Sequence, residues 1–420
     1  MTVPATHDIA IWGIAALATA GVVVRPFKLP EATWAVAGAA LLVVLGLLPS
    51  ADALRAIGKG GEVYLFLTGM MLLSEIARRD GVFDWVAAIA VNAARGSPAR
   101  LFALVYAIGI VVTTFLSNDA TAVVLTPAVF AAAKTARAEP LPYLFICAFI
   151  ANAASFVLPI SNPANLVLYG NHVPPLAQWL GSFALPSLAA IGATYLALRW
   201  VEGKRLGSVC AARVDQPKLS PGGRTALGGI VLTAIVLTAV SAFDVPLGWP
   251  TLAMGVLTAA TALVRERAAP WPVLKAISWP VLPLVAGLFV LVEAVDSTGV
   301  TAALAAALRS GAETSITATG AVAGGLLALG SNLINNLPAG LIASTAIAQA
   351  QPPRQVVDAL LIGVDLGPNL SITGSLATIL WLTAIRREGV DVGFVRFLKV
   401  GAVVMPPALM LAIGVRLALG

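Results

Sequence analysis

The sequence predicts an all-α polytopic membrane protein: two inverted repeats, each of about five transmembrane helices plus one re-entrant hairpin, with broken helices at the midplane. Three observations predict it. The chain of 420 residues is 59% hydrophobic and only 11% charged, with mean hydropathy +0.92, against about 25% charged in soluble domains. Apolar stretches of roughly 17 to 25 residues recur along the whole chain, enough to cross about 30 Å of hydrocarbon, which implies helices rather than barrel strands. The two halves also resemble each other. LTGMMLLSEIARRDGV (67–82) aligns with VAGLFVLVEAVDSTGV (285–300) at an offset of 218, pairing Gly69 with Gly287, Glu75 with Glu293 and Gly81 with Gly299. LSND aligns with GSNL, Asn118 with Asn332, at 214, and PISNPANL (159–166) with SITGSLAT (371–378), Ile160 with Ile372, at 212.

Taken in order, the first repeat covers 1–201, with crossings at about 8–24, 31–49, 62–77, 141–170 and 176–198 and a hairpin at about 101–134. The segment 141–170 is broken by Pro159 and Pro163. The opening apolar run does not read as a cleaved signal, because its charged flank, Arg25 and Lys28, follows it. A polar, basic linker, 202–224, divides the chain. The second repeat, 225–420, crosses at about 225–243, 249–264, 279–296, 355–385 and 394–415, with a hairpin at about 314–350. Its segment 355–385 is broken by Gly367, Pro368 and Gly374. With both termini outside and the linker in the cytoplasm, 21 of the 26 basic residues fall on the cytoplasmic side, as the positive-inside rule asks. Five crossings per half make the repeats inverted.

Polar residues concentrate at the hairpin tips and the breaks. The tips carry Ser117, Asn118, Asp119 and Thr121 in one half and Ser331, Asn332, Asn335 and Asn336 in the other. The breaks carry Asn162 and Asn165, then Asp365, Asn369, Thr373 and Ser375. Proline frees backbone groups at membrane depth, and irregular backbone persists there only when buried in protein or lining a watery cavity. Intramembrane carboxylates point to function, although Asp119 could merely cap a helix. Glu75 and Glu293, matched between the halves, lie near helix ends and fit an interfacial role. Two cysteines, Cys147 and Cys210, and two histidines, His7 and His172, give no metal-ligand spacing. No GxxxxGK[ST] or HExxH occurs, and no Ser/His pair sits in a membrane segment, so neither a P-loop ATPase nor another enzyme is expected. Secondary transport without a cofactor is expected, and the positive charge serves orientation rather than nucleic-acid binding.

FLSNDATAVVLTP, YLFICAFIANAASFVLPISNPANLV and LIGVDLGPNLSITGSLATILWL resemble signature stretches of the ArsB-type arsenite and antimonite permeases, the arsenical pump membrane proteins of the ion transporter superfamily. The resemblance covers essentially the whole chain. One departure is Asn369, where some members carry a lysine after the Gly-Pro pair. The resemblance implies efflux of As(III) or Sb(III) across a bacterial-type inner membrane by proton antiport with elevator-like movement, sometimes with a soluble arsenite-stimulated ATPase. Neutral As(OH)3 donates and accepts hydrogen bonds, which suits an Asn/Ser/Thr cage. Ser117, Asn118, Asn162, Asn165, Asn332, Asn335, Asn369, Thr373 and Ser375 are the expected cage, and Asp119 and Asp365 the proton-coupling groups. Three alternatives stand: a sodium/proton antiporter, a sodium-coupled anion carrier, and the membrane subunit of an ATP-driven pump.

Overall fold

In the computed structural model, residues 6–170, 173–206, 209–241, 243 and 245–420 are described; His172 lies outside them, as do Gly207 and Ser208 of the linker. All regular structure among these residues is helical. Six helices are long and apolar enough to cross a membrane, or seven if the pair Val281–Ser297 and Val300–Thr314, bent by 74°, counts as one span.

Equivalent helices of the two halves make equivalent contacts. Gly61–Arg79 packs on Gly248–Glu266, and its counterpart Val281–Ser297 on Glu31–Val44. The matched glycines explain the closeness. Gly69 lies against the Thr251 carbonyl, and a Cβ on Gly287 would come within 2.7 Å of the Ala35 carbonyl carbon. Small residues let helix backbones approach where lipid supplies no hydrophobic drive. With Thr6–Val24 and Pro221–Ser241 these helices form a scaffold. Lys59, just before the start of Gly61–Arg79, bonds Glu293 near the end of Val281–Ser297 at 2.6 Å. The two equivalent helices therefore run antiparallel, as an inverted duplication requires.

A second body holds the hairpins and broken helices. The first hairpin runs Pro98–Leu116, turns at Ser117, and returns through Asn118–Ala120, a wide π turn at Thr121–Leu125, and Thr126–Thr135. Ser97 caps its start by accepting from Arg100 N at 3.4 Å. Pro127 has no N–H to continue the ladder, and the Thr126 hydroxyl donates to the Thr121 carbonyl at 3.0 Å within that turn. The second hairpin, Ile316–Ile334 and Asn336–Ala350, turns at Asn335. The broken helices are Pro140–Ala153 with Pro163–Tyr169, and Arg354–Leu366 with Leu376–Arg387. Each hairpin packs on the first half-helix of its own repeat and the second half-helix of the other. The long helices Leu176–Glu202 and Phe394–Ala418 close this body against each other.

Two readings of the sequence are corrected here. The stretches around 82–94 and 300–314 were expected as connections, but each is a helix, Val82–Ala94 and Val300–Thr314, joining scaffold to hairpin. Gly81 and Gly299 start them at φ 74° and 81°, a left-handed conformation that glycine adopts without steric cost. The pairing of Asn118 with Asn332 is one helical turn out of register. Ser117 and Asn335 are the tip residues, with φ 108° and 74°, so Asn118 corresponds to Asn336 at the same offset of 218 that relates the preceding helices.

Candidate functional site

The first residues of four helices meet at one small central cavity between the bodies, about 10 Å³ and so closed down to the room of about one water. Its lining includes Asn118 and Asp119 from the first hairpin, Asn336 from the second, Asn162 and Pro163 from one broken helix, and Leu376 from the other. Leu67 and Val281 close it from the scaffold. Every one of these helices starts behind a polar cap. Ser117 accepts from Ala120 N at 3.5 Å, Asn162 from Ala164 N at 3.0 Å, Asn335 from Leu337 N at 3.3 Å, and Ser375 from Thr378 N at 3.1 Å. Serine and asparagine stand there because a side-chain oxygen must satisfy an orphan N–H at each helix start.

Two side chains at the cavity have unspent hydrogen-bonding capacity. The Oδ1 atoms of Asn118 and Asn336 are buried without a partner, although both residues are only 2% exposed. A buried polar atom without a partner costs about 1–3 kcal/mol, a penalty that a solute donating an O–H or a bound cation would remove. Asn336 was outside the expected cage. Extending the constant 218 offset through the tip would have found it.

The remaining cage candidates hold the breaks in shape, and among them Asn165 also keeps a buried Oδ1 without a partner. Asn332 donates to the carbonyls of Ala328 (2.8 Å) and Gly367 (2.9 Å) and accepts from the N–H and hydroxyl of Ser371 (3.0 and 2.8 Å). Thr373 donates to the Asn332 carbonyl at 3.0 Å, and Asn335 reaches the Thr373 carbonyl at 3.4 Å. Asn165 donates to the carbonyls of Ser155, Leu158 and Pro159. Asn369 accepts from Asn152 at 3.0 Å and donates to the Phe149 carbonyl, and the Ser375 hydroxyl donates to Asn152 at 3.3 Å. Asn152, fully buried, thus ties the two broken helices together. It was not singled out in the sequence, where its only mark is an amide inside an apolar run.

The two carboxylates are placed differently. Asp119 lines the central cavity and also a crevice reaching past Met70, Met71 and Ser74 to Glu75. Asp365 is fully buried and does not line the cavity. It accepts from Asn162 Nδ2 at 2.7 Å, and its other oxygen has no partner. Asn162 therefore connects Asp365 to the cavity while capping Pro163–Tyr169. A second crevice, on the opposite side, is lined by Lys59, Glu62, Glu293, Ser344 and Thr345. Lys59, paired with Glu293, is the one basic side chain lining the cavity or either crevice among the described residues. No cluster of three or more His, Cys, Asp or Glu side chains that could hold a metal occurs among the described residues.

A model of the CitMHS family, described as citrate transporter, matches residues 14–390. An uncharacterized transporter of Mycobacterium tuberculosis is 27% identical over 90% of this chain and 91% of its own. The arsenical pump membrane protein of Escherichia coli is 26% identical over 81% of this chain and 82% of its own. Among solved structures, the YdaH transporter of Alcanivorax borkumensis superposes with a TM-score of 0.59 at 16% identity, covering 99% of this chain and 98% of that one. The Neisseria gonorrhoeae MtrF structure, from a class described as antimetabolite efflux pumps, gives 0.54 at 15%, covering 87% and 83%. At those identities the likeness concerns the fold.

Proposed function

The chain belongs to the CitMHS citrate-transporter family and is a secondary transporter of the CitMHS/ArsB type, and on that premise we propose that it exports trivalent arsenic or antimony hydroxide in exchange for protons. The observation that carries this reading is the central cavity. It offers unpartnered amide oxygens on Asn118 and Asn336 and a carboxylate on Asp119, with no basic side chain. As(OH)3 donates hydrogens to such acceptors and carries no charge to be neutralised. A tricarboxylate would bring negative charge to a site that holds Asp119, with Glu75 and Glu293 on its approaches already paired to Arg78 and Lys59 and Glu62 beside them.

Asp119 is the proton carrier in this account. Protonated, it is neutral and crosses with the body that bears it. Deprotonated on the cytoplasmic side, it accepts the hydroxyl of the incoming solute. Asp365 acts through Asn162, whose amide orients toward the carboxylate. The cage proper is Asn118 and Asn162, joined by Asn336; Ser117 lines the adjoining crevice and caps the hairpin tip, while Asn165, Asn332, Asn335, Asn369, Thr373 and Ser375 hold the walls. The body of hairpins and broken helices moves against the scaffold as in an elevator. The positive-inside count supports an inner-membrane orientation with both termini outside and the linker in the cytoplasm.

A second reading, an anion carrier, is favoured by the four helix starts, whose dipoles place partial positive charge around the cavity. Capping side chains already accept from Ala120, Ala164, Leu337 and Thr378, which removes four donors an anion would use. Uptake by everted vesicles containing this chain alone separates the readings. As(III) accumulation that needs an acid vesicle lumen, so that protons leave as As(III) enters, and is lost in Asp119→Asn supports arsenite export; citrate uptake without As(III) uptake overturns it.

A further inference from the structure

The matched carboxylates Glu75 and Glu293 have no part in the central site, yet each lines one of the two crevices beside it. Both lie on the equivalent antiparallel scaffold helices, 218 residues apart. Leu67 marks the level of the central cavity on the first of these helices. Eight residues further on, at about 1.5 Å each, Glu75 stands about 12 Å along the axis, on the same face as Met70, Met71 and Ser74. The crevice beside Glu75 contains Asp119 and Ser117, whereas the crevice beside Glu293 contains neither. Asp119 and Glu75 therefore share one cavity, and a slide of the hairpin toward Glu75 shortens the path between the two carboxylates.

We propose that Glu75 is the proton-relay residue of the cytoplasmic side, taking the proton from Asp119 when the site faces inward, and that Glu293 is its counterpart on the outer side. The inference rests on the proton-coupled reading above. The transfer is a simple exchange. The O–H bond on Asp119 breaks, an O–H bond forms on Glu75, Asp119 is left as a carboxylate, and Glu75 then releases the proton to cytoplasmic water. The charged groups around Glu75 are Arg78, which donates to both its oxygens at 2.6 and 2.8 Å, Asp84 beside that arginine, and Asp119 across the crevice. Around Glu293 they are Lys59 at 2.6 Å and Glu62 in the same crevice. Each relay carboxylate is thus fixed by a cation at the wall of its crevice.

The test measures two fluxes in vesicles of wild type, Glu75→Gln and Glu75→Asp over a range of pH. One is As(III) uptake driven by a proton gradient. The other is exchange of As(III) for As(III) at equal pH, which needs no net proton release. The expected result for Glu75→Gln is a loss of about tenfold or more in gradient-driven uptake, with exchange within about twofold of wild type and the pH profile restored in Glu75→Asp. Equal losses in both fluxes would reduce Glu75 to a structural anchor, and no loss in either would remove it from the pathway. If As(III) uptake by wild type is the same with and without the proton gradient, the coupled reading fails and the relay with it. That outcome is seen without any variant.

Discussion

At the scale of single residues, the structure sorts chemically similar asparagines into two kinds of work. Asn332 spends both amide hydrogens and its oxygen on neighbouring backbone and Ser371, while Asn118 and Asn336 leave an oxygen unused. Removing Asn332 strands several buried groups, each costing about 1–3 kcal/mol. Asn332→Ala is therefore expected to lower the thermal midpoint in detergent by several degrees. Asn118→Ala and Asn336→Ala are expected to hold that midpoint and lose uptake, measured on the same preparations. The sequence showed that hairpin tips and breaks are polar, but an amide that shapes the backbone and one that faces a solute look alike in it. Only the partners of each nitrogen and oxygen tell them apart, and for Asn332 all of those but the Ala328 carbonyl lie 35 to 39 residues away.

At the scale of elements, tips and helix starts decide the geometry. Ser117 combines φ 108° with a cap on Ala120, so a β-branched replacement is strained by about 1–3 kcal/mol and also loses the cap. Ser117→Val is expected to cut both stability and transport, whereas Ser117→Asn, the residue type used at the equivalent tip, retains both; thermal melts and vesicle uptake check this. At the start of Pro221–Ser241, Glu266 accepts from Gly222 N at 2.9 Å. Asp80 lies beside it, and burial, then the charge of Glu266, push its carboxyl above the ordinary aspartate value of 3.8, with Arg79 opposing. A raised value means that Asp80 favours the fold while protonated, below that ordinary value, and that this contribution is lost as pH rises through the folded-state value. Asp80→Asn is thus expected to raise the melting midpoint at neutral pH, with the gain disappearing in acid, as a pH series of melts would show. Helix existence was largely legible from apolar run lengths. The joining helices Val82–Ala94 and Val300–Thr314 were not, because at 13 and 15 residues they fall short of the roughly 20 that a crossing needs. The hairpin register slipped by one turn because a four-residue shift preserves a helix face, so polar residues align almost as well one turn out.

At the scale of the whole molecule, the proposed two access routes rest on repeated contacts, antiparallel scaffold helices and two crevices beside one cavity. Duplication was readable because Gly69 and Gly287 are forced by backbone contact in both halves. Access was not readable, since it depends on which faces of separate helices converge. Movement between the bodies predicts that a short bifunctional cross-link between cysteines placed at Met71 and Val123, on opposite walls of one crevice, arrests transport reversibly. The native Cys147 and Cys210, both buried, would be replaced first. The most direct measurement of the central claim is simultaneous recording of As(III) efflux and proton movement in proteoliposomes of the purified chain without ATP. The account predicts proton flux opposite to As(III) flux, both abolished in Asp119→Asn. As(III) movement with no accompanying proton flux, or none until an ATPase is added, would contradict it.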